Sequence, residues 1–168
     1  MAKTTKLVPR EGKDGVRFYV SEDALEAYKI LMNGTRINVR ATPTTCPNSK
    51  IPTDAHRKQR YLQFKHALAG DLNILVSHAV HLAWIGPIPD GFVVDHLNGV
   101  TTDNRASNLQ AVTPAENARR AKLLKILRSI GRDPRLMSRS ELLSFFRRYD
   151  FMSPATRMAY DFTHHMEE

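Results

Sequence analysis

The stretch Val93-Val94-Asp95-His96-Leu97-Asn98-Gly99 sets an acid beside a histidine, directly after two β-branched residues and directly before an Asn-Gly pair. Paired valines favour a buried strand, and Asn-Gly favours a tight turn because both residues tolerate a left-handed backbone. The Asp-His pair is therefore expected at the end of a strand, where both side chains can reach a groove. Asn108 and Asn117 follow thirteen and twenty-two residues beyond Asp95. Hydrolysis of a phosphodiester needs a cation on the phosphate, a base near a water proton and a group that holds the base. An adjacent aspartate and histidine can supply the first two, and Asn117 would bring a second oxygen ligand from another element. An isolated Asp-His pair before Asn-Gly more often just closes a strand, so the flanking sequence has to decide.

Working outward, residues 98–107 read as a loop and Leu109-Gln110-Ala111-Val112 as a second strand. Thr113-Pro114-Ala115-Glu116 is a capping box with proline at the first helical position, and it predicts a helix from Pro114 to about Ser129. The order is thus strand, loop, strand, helix. Upstream, Val80, Ala83 and Trp84 have helical spacing until Gly86-Pro87 forbids continuation. Tyr61, Phe64 and the run Leu72-Asn73-Ile74-Leu75-Val76 are expected to form a hairpin about Ala69-Gly70-Asp71, with a helix over 53–68 as the alternative. Nearer the N-terminus, 16–20 reads as a strand, 21–32 as a helix capped by Ser21, Asn33-Gly34 as a turn and 36–39 as a short strand. Residues 41–52, rich in Thr and Pro, read as an extended linker. The expectation is an α+β chain with three parts: a mixed α/β segment and linker (1–52), a central unit (53–130) and a basic helical extension (131–168).

Composition narrows the partners. The chain has 168 residues, 25 Lys and Arg against 17 Asp and Glu, and a formal charge of +8. A basic balance of this size fits nucleic acid, with an acidic membrane surface or plain solubility as competing readings. Cys46 is the only cysteine, which excludes an internal disulfide and a thiolate zinc cluster and points to a reducing compartment. No apolar run reaches the roughly 20 residues of a membrane span, and no apolar signal core follows Met1. A cytoplasmic, soluble protein without a membrane partner is expected, and a phage is one source it would fit.

Several spaced elements resemble one family. Ala83-Trp84-Ile85-Gly86-Pro87-Ile88-Pro89, Val94-Asp95-His96, Asp103-Asn104-Arg105, Ser107-Asn108-Leu109, Val112-Thr113-Pro114 and Glu116-Asn117 together resemble the HNH endonucleases, and more narrowly their phage and homing-type branch. The resemblance runs from about Val76 to Arg120. It implies a central ββα-metal unit, with Asp95 and Asn117 holding one divalent cation, Mg2+ or Mn2+. It also implies His96 as general base, Asn108 as the residue that steadies the loop and orients the histidine, and DNA phosphodiester hydrolysis, by nicking or by double-strand cutting. Relatives often carry a His-Arg pair where this chain has Ser77 and His78, which makes His78 a candidate substrate contact beside a plain helix-start role. Asn104 reads as a loop residue, Trp84 as core, His81 as structural, and His164-His165 as a solvated end.

Ten basic residues against Asp133 and Glu141 lie between Asn117 and Arg148, a surplus equal to the net charge of the chain. On the predicted helix, Leu123, Leu124 and Leu127 share a buried face, leaving Arg119, Arg120, Lys122, Lys125 and Arg128 as candidate DNA-binding residues beside Asn117. A second helix from about Ser140 ends in Arg147-Arg148. The alternative function is a DNA-binding or phage packaging accessory with the same fold and little cleavage activity. A basic surface would serve RNA as well. Target sequence and oligomeric state have no signature here.

Overall fold

The computed structural model describes residues 4–9, 15–44, 61–65 and 73–151. Strands β1 (Thr5–Leu7), β2 (Arg17–Ser21), β3 (Ala27–Ile30) and β4 (Arg36–Asn38) form an antiparallel meander in that spatial order. Strands β5 (Ala41–Thr44), β6 (Tyr61–Phe64) and β7 (Ile74–Leu75) form a second antiparallel sheet. Helix α1 (Val76–Val80) runs into a π-helical turn (His81–Ile85) that Gly86 closes by donating its N–H to His81 O at 2.9 Å. Strands β8 (Val93–His96) and β9 (Leu109–Val112) form the third sheet, followed by α2 (Pro114–Ser129) and α3 (Arg139–Phe151). No helix among the described residues is long and apolar enough to cross a membrane.

The strand, loop, strand, helix order around Asp95 is as expected. Val93 pairs with Val112 and His96 with Leu109 across the β8–β9 ribbon. Thr113 caps α2 by accepting the Glu116 N–H at 3.2 Å, with Pro114 at the first helical position. Only that half of the capping box forms: the Glu116 carboxylate turns to Arg119 and Arg120, at 2.7 and 2.6 Å.

Two hydrophobic clusters hold these pieces. The first joins Phe18 and Val20 of the first sheet, Phe64 of the second, Val76 and Val80 of α1, and Leu109 of β9. Phe18 and Phe64 meet edge to face with ring centroids 5.2 Å apart. The second gathers Leu123, Leu124 and Leu127 of α2 with Leu142 and Phe146 of α3 and Leu97, the residue just after His96. Burying such side chains contributes roughly 1.5–3 kcal/mol each, so both ends of the Asp95-His96 strand rest on packed core. Polar ties add register. Trp84 Nε1 donates to Val20 O, Ala106 N to Glu22 O, and the Arg139 guanidinium of α3 donates to Ser107 O and Leu109 O.

The expected helix over 21–32 is instead a turn and a strand. Ser21 Oγ accepts the N–H of Glu26, five residues on, and its hydroxyl donates to Asp23. A helix cap would have bonded two or three residues on. Ser21 thus closes a loop containing Ala24 at φ 62°, and the chain returns as β3 with Ala27 inside and Tyr28 stacked on Tyr19. The described N-terminal part is therefore all β. The hairpin reading of 61–75 agrees with the antiparallel pairs Gln63–Leu75 and Phe64–Ile74, while its turn at 69–71 lies outside the described residues. Of the extended linker 41–52, Ala41–Thr44 is strand β5 and the rest lies outside them, as does the His164-His165 pair.

Candidate active site

Successive residues of a strand point to opposite faces, yet Asp95 and His96 of β8 both line a cleft against α2. Asp95, His96, Asn117, Lys125 and Arg128 line one cleft of about 480 Å3, together with Tyr61 from β6. Asp95 and His96 are 7 % and 6 % exposed, which makes their partners decisive, since a buried charge needs compensation.

Asp95 has that compensation in Arg120. The Arg120 guanidinium, itself buried, donates to Asp95 Oδ2 at 3.2 Å, to Gln110 Oε1 at 3.1 Å and to Glu116 Oε1 at 2.6 Å. It also stands 5.1 Å from the centre of the Phe146 ring of α3. Burial pushes the Asp95 carboxyl up from its ordinary range, and the guanidinium opposes that shift. Arg120 therefore faces inward, behind the carboxylate, and does not stand with the outward basic residues. Arg119 is engaged by Glu116, while Lys122, Lys125 and Arg128 are exposed on α2.

His96 is held by Asn104. Its Nε2 lies 3.0 Å from Asn104 Oδ1, and Asn104 Nδ2 donates to Thr102 O, which fixes the amide's orientation. An amide oxygen only accepts, so Nε2 carries the proton and Nδ1 is the basic nitrogen. Burial lowers the His96 pKa below 6.5, against the Asn104 bond and the nearby carboxylates of Asp95 and Asp103. A neutral imidazole at pH 7 can accept a proton. Asn108 makes a different set of bonds. Its Oδ1 accepts the Asn98 N–H, and its Nδ2 donates to Asn98 Oδ1 and Asp103 O. It ties Asn98 to the loop at Asp103, and the contact to His96 is made by Asn104. Asn98 Oδ1 also accepts from Val100 N, and Gly99, at φ 71°, lies so close to Leu124 and Arg128 that a Cβ there would meet them at 2.9 and 3.0 Å.

Asp95 and Asn117 bring a carboxylate and an amide to the same cleft. These are hard oxygen donors of the kind Mg2+ and Mn2+ take while keeping several waters. Among the described residues no group of three or more His, Cys, Asp or Glu is set to hold a metal. His78 lies on α1, away from the cleft lining, and His81 is buried with Nδ1 3.0 Å from Gly86 O, a structural role. Asn104 carried a sequence signal, in Asp103-Asn104-Arg105, but no spacing singled it out as the partner of His96. Tyr61 carried none, being thirty-four residues upstream of Asp95.

Residues 76–119 match the family model described as HNH endonuclease. The chain is 39 % identical over 54 residues to the SPbeta prophage-derived candidate HNH homing endonuclease YosQ of Bacillus subtilis (strain 168), a match covering 32 % of this chain and 31 % of that protein. The chain is also similar to the solved structure of the HNH homing endonuclease I-HmuI, described as showing DNA binding and cleavage, with a TM-score of 0.43 and 21 % identity over 66 % of this chain and 60 % of that one. The matched region thus spans about a third of the curated relative's length.

Proposed function

We propose that this chain, whose residues 76–119 match the HNH endonuclease family model, hydrolyses DNA phosphodiester bonds with one divalent cation, Mg2+ or Mn2+, held by Asp95 and Asn117. The observation that carries the reading is the convergence of Asp95, His96 and Asn117 on one cleft flanked by Lys125 and Arg128. When bound, such a cation would polarise the scissile phosphate and stabilise charge on the leaving oxygen.

His96 acts as the general base. Its Nδ1 takes a proton from the attacking water, and Asn104 keeps the ring in the tautomer that leaves this nitrogen free. Asn108 sets the loop that carries Asn104, and Arg120 holds Asp95 from behind. Lys122, Lys125 and Arg128 are the proposed phosphate contacts. Arg119 and Arg120 are engaged within the protein and contribute less to DNA binding than their position in the sequence suggests. The name of the prophage-derived relative supports a homing-type role.

The test is supercoiled plasmid incubated with the protein and Mg2+ or Mn2+, beside EDTA and His96→Ala controls. Conversion to open-circle or linear DNA that both controls abolish is expected, with His96→Ala losing about 10²–10⁴-fold in rate while binding DNA normally. Intact plasmid together with a clear gel shift would favour the DNA-binding accessory instead.

A further inference from the structure

Hydrolysis of a phosphodiester calls for a polar site, yet the cleft is also lined by the apolar Val93, Val94, Pro114, Ala118, Ala121 and Leu124. Tyr61 adds an aromatic ring to that lining and comes from a different sheet. Alternation along β6 explains how it gets there. Leu62 and Phe64 pack in the first hydrophobic cluster, so Tyr61 and Gln63 project from the opposite face of the strand. Tyr61 is half-buried, and its strand is held in register by Thr44 on β5 and by Leu75 and Ile74 on β7. Aliphatic side chains and the face of a phenol ring offer little to a phosphate, whereas a nucleobase or a deoxyribose presents apolar faces that match them; the Tyr61 hydroxyl could still donate to a phosphate, a contact that Tyr61→Phe removes while keeping the ring. The cleft volume, about 480 Å3, lies within the roughly 300–1,000 Å3 of sites that enclose small organic groups.

We propose that Tyr61 stacks on the nucleoside adjoining the scissile phosphate, so that the cleft receives a whole nucleotide and not a bare phosphate. The inference rests on the nuclease reading above and extends it to what the enzyme holds beside the bond it breaks. Lys125 and Arg128, on the same cleft, take the charge of the backbone, while Tyr61 takes the face of the base. Because every base has a π-face, this contact positions the strand without demanding one sequence. Tyr61 is a substrate contact and not a participant in proton transfer.

A plasmid digest first locates a cut. Duplex oligonucleotides spanning it are then made intact, with one abasic residue on either side of the cut, or with one about six nucleotides away. Loss of a base–aromatic stack corresponds to roughly 5–150-fold. The wild-type protein is expected to lose on the order of 10-fold in kcat/KM at one adjoining abasic position and nothing at the remote one. Tyr61→Leu, checked for folding by circular dichroism, should show a similar loss on the intact duplex and no further loss at the abasic position, and Tyr61→Phe should behave as wild type. Wild-type protein indifferent to both adjoining abasic positions, or Tyr61→Leu as sensitive to them as wild type, would overturn the proposal. Should Tyr61→Leu fail to fold, the wild-type series with Tyr61→Phe decides alone. No metal-dependent cutting of any DNA would sink the nuclease reading itself, and this inference with it.

Discussion

In the proposed mechanism, Asn104 is the residue on which the chemistry of His96 turns. Its amide oxygen, 3.0 Å from Nε2, selects the tautomer, and its own amide is anchored on Thr102. Partners of this kind are typically worth about 10–100-fold in activity. Asn104→Ala is expected to lower kcat within that range while leaving KM for DNA nearly unchanged. Asn104→Asp keeps the acceptor but adds a negative charge, which favours imidazolium and raises the His96 pKa. Since the base must be neutral, the rising limb of the kcat–pH profile should sit below pH 6.5 in the wild type and move upward in Asn104→Asp. A profile unmoved in Asn104→Asp, with full kcat in Asn104→Ala, would remove Asn104 from the mechanism. Asp95 makes the complementary case: Arg120 keeps a nearly buried carboxylate compensated from the side away from the cleft.

Helix α2 connects the site to the rest of the protein, because one helix carries the metal-ligand candidate Asn117, the Asp95 partner Arg120 and the exposed cations Lys125 and Arg128. Its first turn is organised by Glu116, whose carboxyl the guanidinium of Arg119, joined by that of Arg120, holds down at about 2 against an ordinary 4.5. A depressed acid contributes stability that is fully present above its unfolded value and is lost as pH falls toward the folded one. Glu116 is partly exposed, with 28 % of its side-chain surface accessible, so the screened contribution is on the order of 0.2–1 kcal/mol per pair. Glu116→Gln should therefore melt a few degrees below wild type at pH 6, with the gap narrowing between pH 4.5 and about 2. A gap that stays constant through that range would mean that the charge on Glu116 contributes nothing.

Across the whole molecule, the basic surplus after Asn117 divides into cations bonded to other groups of the protein and exposed cations along α2. Arg120 braces Asp95, Arg119 pairs with Glu116, Arg135 pairs with Asp133, and Arg139 straps α3 to the loop and β9. Lys122, Lys125 and Arg128 remain exposed along α2, and the last two line the cleft. Each phosphate neutralised steepens the dependence of log affinity on log salt by about 0.9. Replacing Lys125 and Arg128 together by alanine should flatten that slope by roughly two units in a fluorescence-anisotropy titration. Arg135→Ala should leave it unchanged. Equal flattening by both would show that binding follows net charge and not this surface.

The order of residues by itself determined the ββα unit, because each of its parts is specified locally. Val93-Val94 favours a strand, Asn98-Gly99 a turn, and Thr113-Pro114-Ala115-Glu116 a helix start, and all three stand where these signals put them. Asp95, His96 and Asn117 are marked as a set by the spaced elements that resemble the HNH endonucleases, and not by any one local signal. Local signals failed at 21–32, where a serine suited to a helix cap closes a longer turn, since strand pairing with β2 and β4 outweighs a weak helical preference. Only the tertiary structure decided that Asn104 and not Asn108 reaches His96, that Arg120 turns inward, and that Tyr61 enters the cleft. Each of these depends on how a loop, a helix face or a second sheet packs against β8, and contacts between residues far apart in sequence leave no period or spacing to read.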